Sequence, residues 1–171
     1  MTPLPVALDP AASKTGLCVW RLEVARHAAT WHTGEGAFQV GGRWSPKGRR
    51  VIYCALEPST AILEVAVHKS FAVLDTVAHQ LLHIVVNKPD LVHQVDIATI
   101  PNKAWLQSGT VSAGQQAFGE ALLKLHPFLL VPSVVSTRSW NLVIDVDGAN
   151  GLFSLLSAED FCLDTRLHPA R

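Results

Sequence analysis

Residues 34–68 read GEGAFQVGGRWSPKGRRVIYCALEPSTAILEVAVH. Two turns come first, at Gly41-Gly42 and Ser45–Gly48, where glycine accepts the positive φ that tight turns need. A continuous apolar run within Arg50–Leu56 is typical of a buried strand. Pro58 then favours a helix start, and Ala61–Lys69 places apolar side chains on one helical face. This stretch therefore predicts a turn, strand and helix in direct succession.

The flanking sequence predicts a mixture of strands and helices. Strands are expected at Leu17–Val24, Gln80–Val86, Leu91–Ile97, Phe128–Val135 and Asn141–Val146, a second helix at Ser112–His126, and a loop at Arg26–Val40. Pro132 interrupts its strand, which indicates an edge or a bulge. Intermixed elements in 171 residues predict one compact α+β domain.

Both ends of the chain are expected to lie outside the main core. Residues 1–14 are rich in Pro and Ala and predict a loose N-terminal arm. Residues 148–171 form a C-terminal tail, and four of its apolar residues favour a short docking helix. These are Leu152, Phe153, Leu155 and Leu156.

Composition narrows the function classes. Lys+Arg and Asp+Glu number 14 each, and this balance argues against a broad electrostatic nucleic-acid surface. Apolar residues make up 49% of the chain, which fits either a large core or a surface that needs a partner. The sequence contains no signal peptide and no run long enough for a membrane helix, so the cytoplasm is the expected location.

Cysteines and histidines give no indication of a metal site. The three cysteines form no CxxC pair and are expected to be reduced, mostly buried thiols. The eight histidines are dispersed and include no HExxH motif. We therefore expect no metal.

The glycine-rich turn is a candidate binding loop. Four glycines lie within the eleven residues that end in Arg43-Trp44. Glycine allows close approach of the backbone, arginine matches phosphate oxygens, and tryptophan can stack on a base. The pattern fits a ligand with phosphate and a base. It equally fits a surface loop whose Arg43 pairs with a carboxylate, and it is neither a Walker loop nor a dinucleotide glycine motif.

Four further side chains are candidates on their own chemistry. Glu64 lies in an apolar helical stretch, either as a solvated outer residue or as a carboxylate in a cleft that stabilises an oxocarbenium ion. Tyr53, the single tyrosine, is a ligand contact or a core residue. Arg21, inside an apolar strand, needs an anion from the protein or from a ligand. Ser133 can bind phosphate or serve only the local structure.

The order of these residues resembles the RES domain, a family of bacterial toxins named for Arg, Glu and Ser. The matching segments are Trp20-Arg21, Gly34–Ala37, Gly41–Gly48, Val51–Ala55, Ala61–His68 and, later in the chain, Ser133. Arg43 (with Arg21), Glu64 and Ser133 match the three name-giving residues in order. The resemblance covers about residues 17–146.

The resemblance implies a fold similar to that of ADP-ribosyltransferase toxins, with a split, mixed or antiparallel β core surrounded by helices. It implies a toxin that cleaves the nicotinamide–ribose bond of NAD⁺ by hydrolysis or phosphorolysis. It also implies an Xre-family helix-turn-helix antitoxin as the partner, and a homodimer within the toxin–antitoxin complex. Direct binding to nucleic acid or membrane is not expected.

Roles for individual residues follow from the same resemblance. Arg21 and Arg43 would hold the diphosphate, Tyr53 would contact the nicotinamide ribose, and Glu64 would lie beside the scissile bond. Ser133 would support the diphosphate or nicotinamide region. The remaining residues expected to bind NAD⁺ are Gly42, Trp44 and Asn141.

The chain departs from the family pattern after Val134-Val135, where a usual Glu is missing, and Ser45 replaces a common Asn. Two other functions remain as alternatives to the cleavage of NAD⁺. One is ADP-ribosyl transfer to a host protein, and the other is an inactive RES-like module that only binds a partner. The sequence leaves open whether water, phosphate or a protein accepts the ADP-ribose.

Overall fold

A computed structural model describes residues 16–107 and 111–167. The described strands are β1 Leu17–Val24, β2 Val51–Ala55, β3 His79–Val86, β4 Val92–Gln94, β5 Phe128–Pro132, β6 Trp140–Asp145 and β7 Phe153–Phe161. The described α-helices are α1 Glu35–Val40, α2 Pro58–Lys69, α3 Phe71–Thr76 and α4 Ala113–Leu123. The 3₁₀ segments Ala25–Thr33, Pro89–Leu91 and Ile97–Thr99 lie between these elements, and a further one, Thr165–Leu167, follows β7.

The strands form one seven-stranded sheet in the order β4-β5-β6-β2-β1-β3-β7. All neighbours are antiparallel except β4 and β5, which are parallel. The central strands β1 and β2 share only the Trp20–Ala55 register pair, whereas β1 and β3 pair along their whole length. The predicted α+β class with a mixed, split β core is confirmed.

Alternation along the central strands separates two hydrophobic clusters. Ile52 and Cys54 of β2 belong to one cluster, which also contains Trp31 of the first 3₁₀ segment. Val51 lies in the other, where Trp44 and the α4 residue Leu123 are buried. Successive side chains of a strand point to opposite faces, so β2 contributes to the core on both sides of the sheet.

Helix α2 packs over the strands near the split. Pro58 occupies its first turn, where the missing N–H costs nothing. Ala66 packs with Leu22 of β1 and Leu74 of α3 in a third apolar cluster. This packing holds one face of α2 against β1 and leaves Glu64 free to reach toward β5 and β6.

Three predicted elements differ most from the structure, and the predicted strand Phe128–Val135 and helix Ser112–His126 end earlier than expected, at Pro132 and Leu123. The segment predicted as a loop, 26–40, contains the 3₁₀ segment Ala25–Thr33 and helix α1. The predicted docking helix in the C-terminal tail is wrong, because Phe153–Phe161 forms β7 and pairs with β3. The predicted strand Leu91–Ile97 is reduced to Val92–Gln94. The predicted N-terminal arm lies outside the described residues.

Long-range pairing explains the tail. Its apolar residues fit a helix locally, but β3 offers a free edge whose backbone groups need partners. Hydrogen bonding to that edge outweighs local preference. None of the helices in the described part of the chain is long and apolar enough to cross a membrane.

The cysteines are free, and only one is buried. Cys54 lies in the core, whereas Cys18 and Cys162 are exposed, so the expectation of mostly buried thiols is wrong. Burial raises the pKa of Cys54 to about 12.

Candidate active site

Glu64 accepts two side-chain hydrogen bonds on one carboxylate oxygen. Ser133 Oγ donates to Oε1 over 2.8 Å, and Asn141 Nδ2 donates to the same oxygen over 2.6 Å. Oε2 accepts no hydrogen bond from the described residues. The carboxylate is therefore oriented through one oxygen, and the other remains available to a ligand.

Three elements bring this group together. Glu64 projects from the middle of α2, Ser133 directly follows β5, and Asn141 is the second residue of β6. Strands β5 and β6 are antiparallel neighbours, so the end of one lies beside the start of the other. The site thus joins residues 64, 133 and 141 across the sheet.

Ser133 is fixed before it meets Glu64. Its side chain is fully buried, its N–H donates to the Ser139 carbonyl, and its Oγ accepts from the Ser136 N–H. Because the hydroxyl proton points to Glu64, Ser133 acts on the carboxylate. The side chain has no exposed surface in this conformation, and its expected role in NAD⁺ binding stays a prediction.

Tyr53 holds the glycine-rich loop through its hydroxyl. The oxygen accepts from the Trp44 N–H over 3.1 Å and shares a hydrogen bond with Ser45 Oγ at 3.0 Å. Burial raises the pKa of the phenol, against the opposing effect of these hydrogen bonds. The phenol is therefore neutral at physiological pH, and its hydroxyl is already engaged.

Gly42 leaves the space that the Tyr53 ring occupies. A Cβ at this position would lie 2.7 Å from Cε2 and Cζ of the ring. Such distances require displacement of one partner. Glycine at 42 is thus required for packing against Tyr53.

Trp44 is buried with 2% of its surface exposed, in the cluster that contains Val51 and Leu129. Its indole offers no open stacking face in this conformation, and its expected contact with NAD⁺ stays a prediction. The large apolar ring gains more from the core than from solvent. Trp44 therefore anchors the loop from within.

Arg43, the neighbour of Trp44 in the same loop, is only partly buried. Its Nη1 donates to the Trp105 carbonyl over 2.9 Å, and its guanidinium pairs with no carboxylate among the described residues. The alternative in which Arg43 pairs with a carboxylate of the protein is therefore not observed among the described residues. A partly buried, uncompensated guanidinium is a favourable place for an anion.

Arg21 lies at the seam where β1 and β2 separate. Its Nε donates to Glu23 Oε2 over 2.9 Å, and its Nη1 donates to the Tyr53 carbonyl over 2.9 Å. The anion that Arg21 requires is therefore a protein carboxylate two residues away. The guanidinium ties the two strands together where ladder pairing ends.

Sheet register relates the loop to the carboxylate. Tyr53 pairs with Val143 and Ala55 pairs with Asn141. Paired residues share a face, and so do residues two apart in one strand, so Tyr53 and Asn141 project on the same side. Diagonal neighbours of this kind lie about 7–8 Å apart. Tyr53, which anchors the loop, therefore lies on the same face of the sheet as Asn141 of the Glu64 group and diagonally next to it.

Sequence reasoning missed Glu23, Trp105 and Gln116. The contact of Glu23 with Arg21 could have been predicted, since residues two apart in a strand lie on one side. Gln116 Nε2 donates to the Gly42 and Ser45 carbonyls, 74 and 71 residues away, and the Trp105 carbonyl lies 62 residues from Arg43. No local pattern reports contacts of that separation.

A separate cavity of about 360 Å³ lies at the other end of β6. Its walls include Phe38, Lys47, Arg49 and Asp145, and Asp145 forms an ion pair with Arg49 at 3.1 Å. Asp145 is four residues from Asn141 along an extended strand, roughly 13 Å at 3.3 Å per residue. Its walls include neither Glu64 nor Arg43. The polar convergence at Glu64, rather than this cavity, carries the candidate chemistry.

Within residues 16–107 and 111–167, no group of three or more His, Cys, Asp or Glu residues is arranged to hold a metal ion.

Comparison with known proteins gives consistent relatives. A protein named "Toxin Res" from Pseudomonas putida is 28% identical over 153 residues, which cover 88% of this chain and 99% of that protein. One of the same name from Photorhabdus laumondii is 28% identical over 162 residues, with 91% and 99% coverage. The Mycobacterium tuberculosis MbcT–MbcA toxin–antitoxin complex contains a chain with a TM-score of 0.67 and 23% identity, over 85% of this chain and 84% of that one.

The structural similarity supports the fold, and the sequence matches indicate common ancestry with the two proteins named "Toxin Res". The family model described as the RES domain matches residues 19–164, which include the Glu64 group, the glycine-rich loop and all seven strands from Val19 onward. The chain belongs to the RES domain family.

Proposed function

We propose that this protein is the toxin of a toxin–antitoxin pair and that it binds NAD⁺ and cleaves its nicotinamide–ribose bond. The observation that carries the proposal is the Glu64 carboxylate, held through Oε1 by Ser133 and Asn141 with Oε2 open. A fixed carboxylate beside an anomeric carbon stabilises the positive charge that develops as a glycosidic bond breaks.

The reaction needs little acid catalysis, because the nicotinamide ring is cationic in NAD⁺ and leaves as a neutral molecule. The C1′–N bond breaks, its electron pair goes to the ring nitrogen, and positive charge spreads over C1′ and the ribose oxygen. Glu64 stabilises that charge, and water or phosphate then attacks C1′. With water, the product is ADP-ribose and a proton is released to solvent.

Binding residues have distinct tasks in this proposal. Arg43, whose guanidinium lacks a carboxylate partner among the described residues, holds the diphosphate. Tyr53 presents its ring to the nicotinamide ribose while its hydroxyl holds the loop. Ser133 and Asn141 orient Glu64. Arg21, Gly42 and Trp44 support the site from the sheet seam and from the core.

Nicotinamide release tests the proposal. Purified protein incubated with NAD⁺ should release free nicotinamide, and Arg43→Ala and Glu64→Ala should each lower the rate at least about 100-fold, the scale of a lost electrostatic group. Matched controls are Arg26→Ala and Glu159→Ala, which remove the same groups at exposed sites. Undiminished turnover in both site variants would overturn the assignment.

Labelled NAD⁺ in a lysate distinguishes the acceptor. Free ADP-ribose or its phosphate supports degradation. Label fixed on a protein band would instead identify an ADP-ribosyltransferase. If calorimetry detects no binding of NAD⁺, the protein is an inactive module that only binds a partner.

The partner is also proposed. The relatives are named as toxins, and the structural neighbour is a toxin–antitoxin complex. We propose an Xre-family helix-turn-helix antitoxin as the partner, a homodimeric toxin within the complex, and action in the cytoplasm. Co-purification with the product of the adjacent reading frame, followed by mass measurement of the complex, checks both partner and stoichiometry.

A further inference from the structure

Helix α4 grips the loop that carries Arg43. Gln116 Nε2 donates to the Gly42 carbonyl over 2.9 Å and to the Ser45 carbonyl over 3.3 Å. The two carbonyls flank Arg43, and the loop is itself closed by a 2.9 Å bond from the Gly42 N–H to the Ser45 carbonyl. One amide group thus holds both ends of the turn from which the guanidinium projects.

The backbone contact next to Gln116 is very close. Gly119, one turn further along α4, lies against the Trp44 backbone, and a Cβ there would be 2.8 Å from the Trp44 carbonyl carbon. On the other side, Gly41 has φ +76°, and a Cβ on it would be 3.3 Å from Gln116 Nε2. At Gly119 the backbone of α4 therefore meets the loop backbone directly, and next to Gly41 only the Gln116 amide fits between them.

The remaining contacts fix the loop at separate points. Tyr53 holds Trp44 and Ser45 from the sheet, and the Trp105 carbonyl receives the Arg43 tip. Gln116 instead holds Gly42, which directly precedes Arg43, and Ser45, which lies two residues after it. A change there alters the direction of the arginine without touching its guanidinium.

We propose that Gln116 is a positioning residue that sets where the Arg43 guanidinium meets the substrate diphosphate. This inference rests on the proposed function, in which Arg43 binds that diphosphate. Gln116 itself contacts only the loop. Its contribution therefore appears in substrate binding, because the chemical step at Glu64 uses other residues.

The test uses two variants of the whole chain. Gln116→Met keeps length and helix preference but removes the donor, and Gln116→Lys restores a donor at similar reach. Loss of the two hydrogen bonds should raise the Kd for NAD⁺ about three- to ten-fold in Gln116→Met. KM should rise with kcat nearly unchanged, and Gln116→Lys should recover part of the affinity. Gln39→Met, the same change on the exposed α1 helix, is the matched control.

A double-mutant cycle separates positioning from general stability. Binding is measured by calorimetry in a Glu64→Gln background, so that substrate survives. If Gln116 acts through Arg43, Gln116→Met should have little further effect once Arg43→Ala is present. Additive effects, or an unchanged Kd in Gln116→Met, would overturn the inference. If Arg43→Ala alone leaves the Kd unchanged, the proposed role of Arg43 fails instead, and the two failures are distinguishable.

Discussion

Glu64 lies on a helix whose neighbouring residues are apolar, and its setting differs from that of an ordinary solvated glutamate. Ser133 and Asn141 both donate to one oxygen. Hydrogen bonds to a charged acceptor are stronger than neutral ones, so the orientation of the carboxylate is well defined. Arg21 differs from Glu64, because its guanidinium is already paired with a carboxylate of the protein, that of Glu23.

Gly42 and Gly36 provide a matched pair of glycines. Gly42→Ala should destabilise the fold by about 1–3 kcal/mol, because the new methyl group meets the Tyr53 ring. Gly36→Ala, with no atom within 4 Å of the new Cβ and a helical position in α1, should be neutral or gain roughly 0.5–1 kcal/mol. Urea unfolding of both variants checks this. Equal stabilities would contradict the close approach of Gly42 to Tyr53.

Ser70 carries a strained backbone between α2 and α3. Its φ of 70° and ψ of 155° lie in a region that glycine accepts readily and other residues rarely adopt. Ser70→Gly should therefore stabilise the protein by about 1 kcal/mol after the entropic cost of glycine is included. Ser70→Ala retains the strain and should show no gain. A destabilised Ser70→Gly in thermal unfolding would argue against this backbone conformation.

At the scale of elements, local pattern and long-range pairing contribute differently. Strand Leu17–Val24 was predicted with its observed bounds, because its alternation is local and its neighbours on both sides complete it. The tail was mispredicted as a helix, because its partner strand β3 lies 67 to 82 residues away and no local pattern reports such a pairing. The glycine-rich loop was recognised, but its attachment to α4 was not.

Helix α4 offers the test of element packing. Gly119→Ala would place a methyl group against the Trp44 backbone, which cannot move aside as a side chain can. We expect a loss of at least about 1–3 kcal/mol, the range for overpacking. Gly114→Ala, in the first turn of the same helix with its nearest atom at 3.6 Å, should be tolerated. Circular dichroism melts of both variants provide the measurement, and a tolerated Gly119→Ala would mean that α4 and the loop are further apart.

For the whole molecule, the sheet explains why the candidate site forms where it does. The ladder between β1 and β2 is reduced to one register pair, whereas the adjacent β2–β6 ladder is continuous. Side chains that follow β5 and lie on β6 meet Glu64 of α2 on the face of the sheet from which Tyr53, the anchor of the glycine-rich loop, also projects. The sequence contained the order of these residues, which is why the family resemblance was visible. It did not contain the burial of Trp44 or the attachment of the loop to Gln116.

Thiol reactivity reports on the intact core. Cys18 and Cys162 are exposed, whereas Cys54 is buried and burial raises its pKa to about 12. A thiol reagent should modify two cysteines rapidly in the native protein and the third only after denaturation. Cys54→Ser should leave the rapid count unchanged. Rapid reaction of all three in the native state would contradict the arrangement of β2 in the core.

The raised pKa of Cys54 also has a consequence for stability. The folded-state pKa lies above the ordinary value of 9.0, so ionisation favours the unfolded chain. The contribution of this thiol is complete below pH 9 and is lost as the pH rises toward 12. Comparing the pH dependence of unfolding between the natural chain and Cys54→Ala measures it.

Glu64→Gln tests whether the negative charge of Glu64 drives the cleavage of NAD⁺. The amide oxygen can still accept from Ser133 and Asn141, so the local fold is retained while the charge is removed. Nicotinamide release and the Kd for NAD⁺ are measured on the same preparation. We predict a fall in kcat of about 100- to 1000-fold with a nearly unchanged Kd. A variant that binds NAD⁺ and turns it over at the natural rate would contradict it.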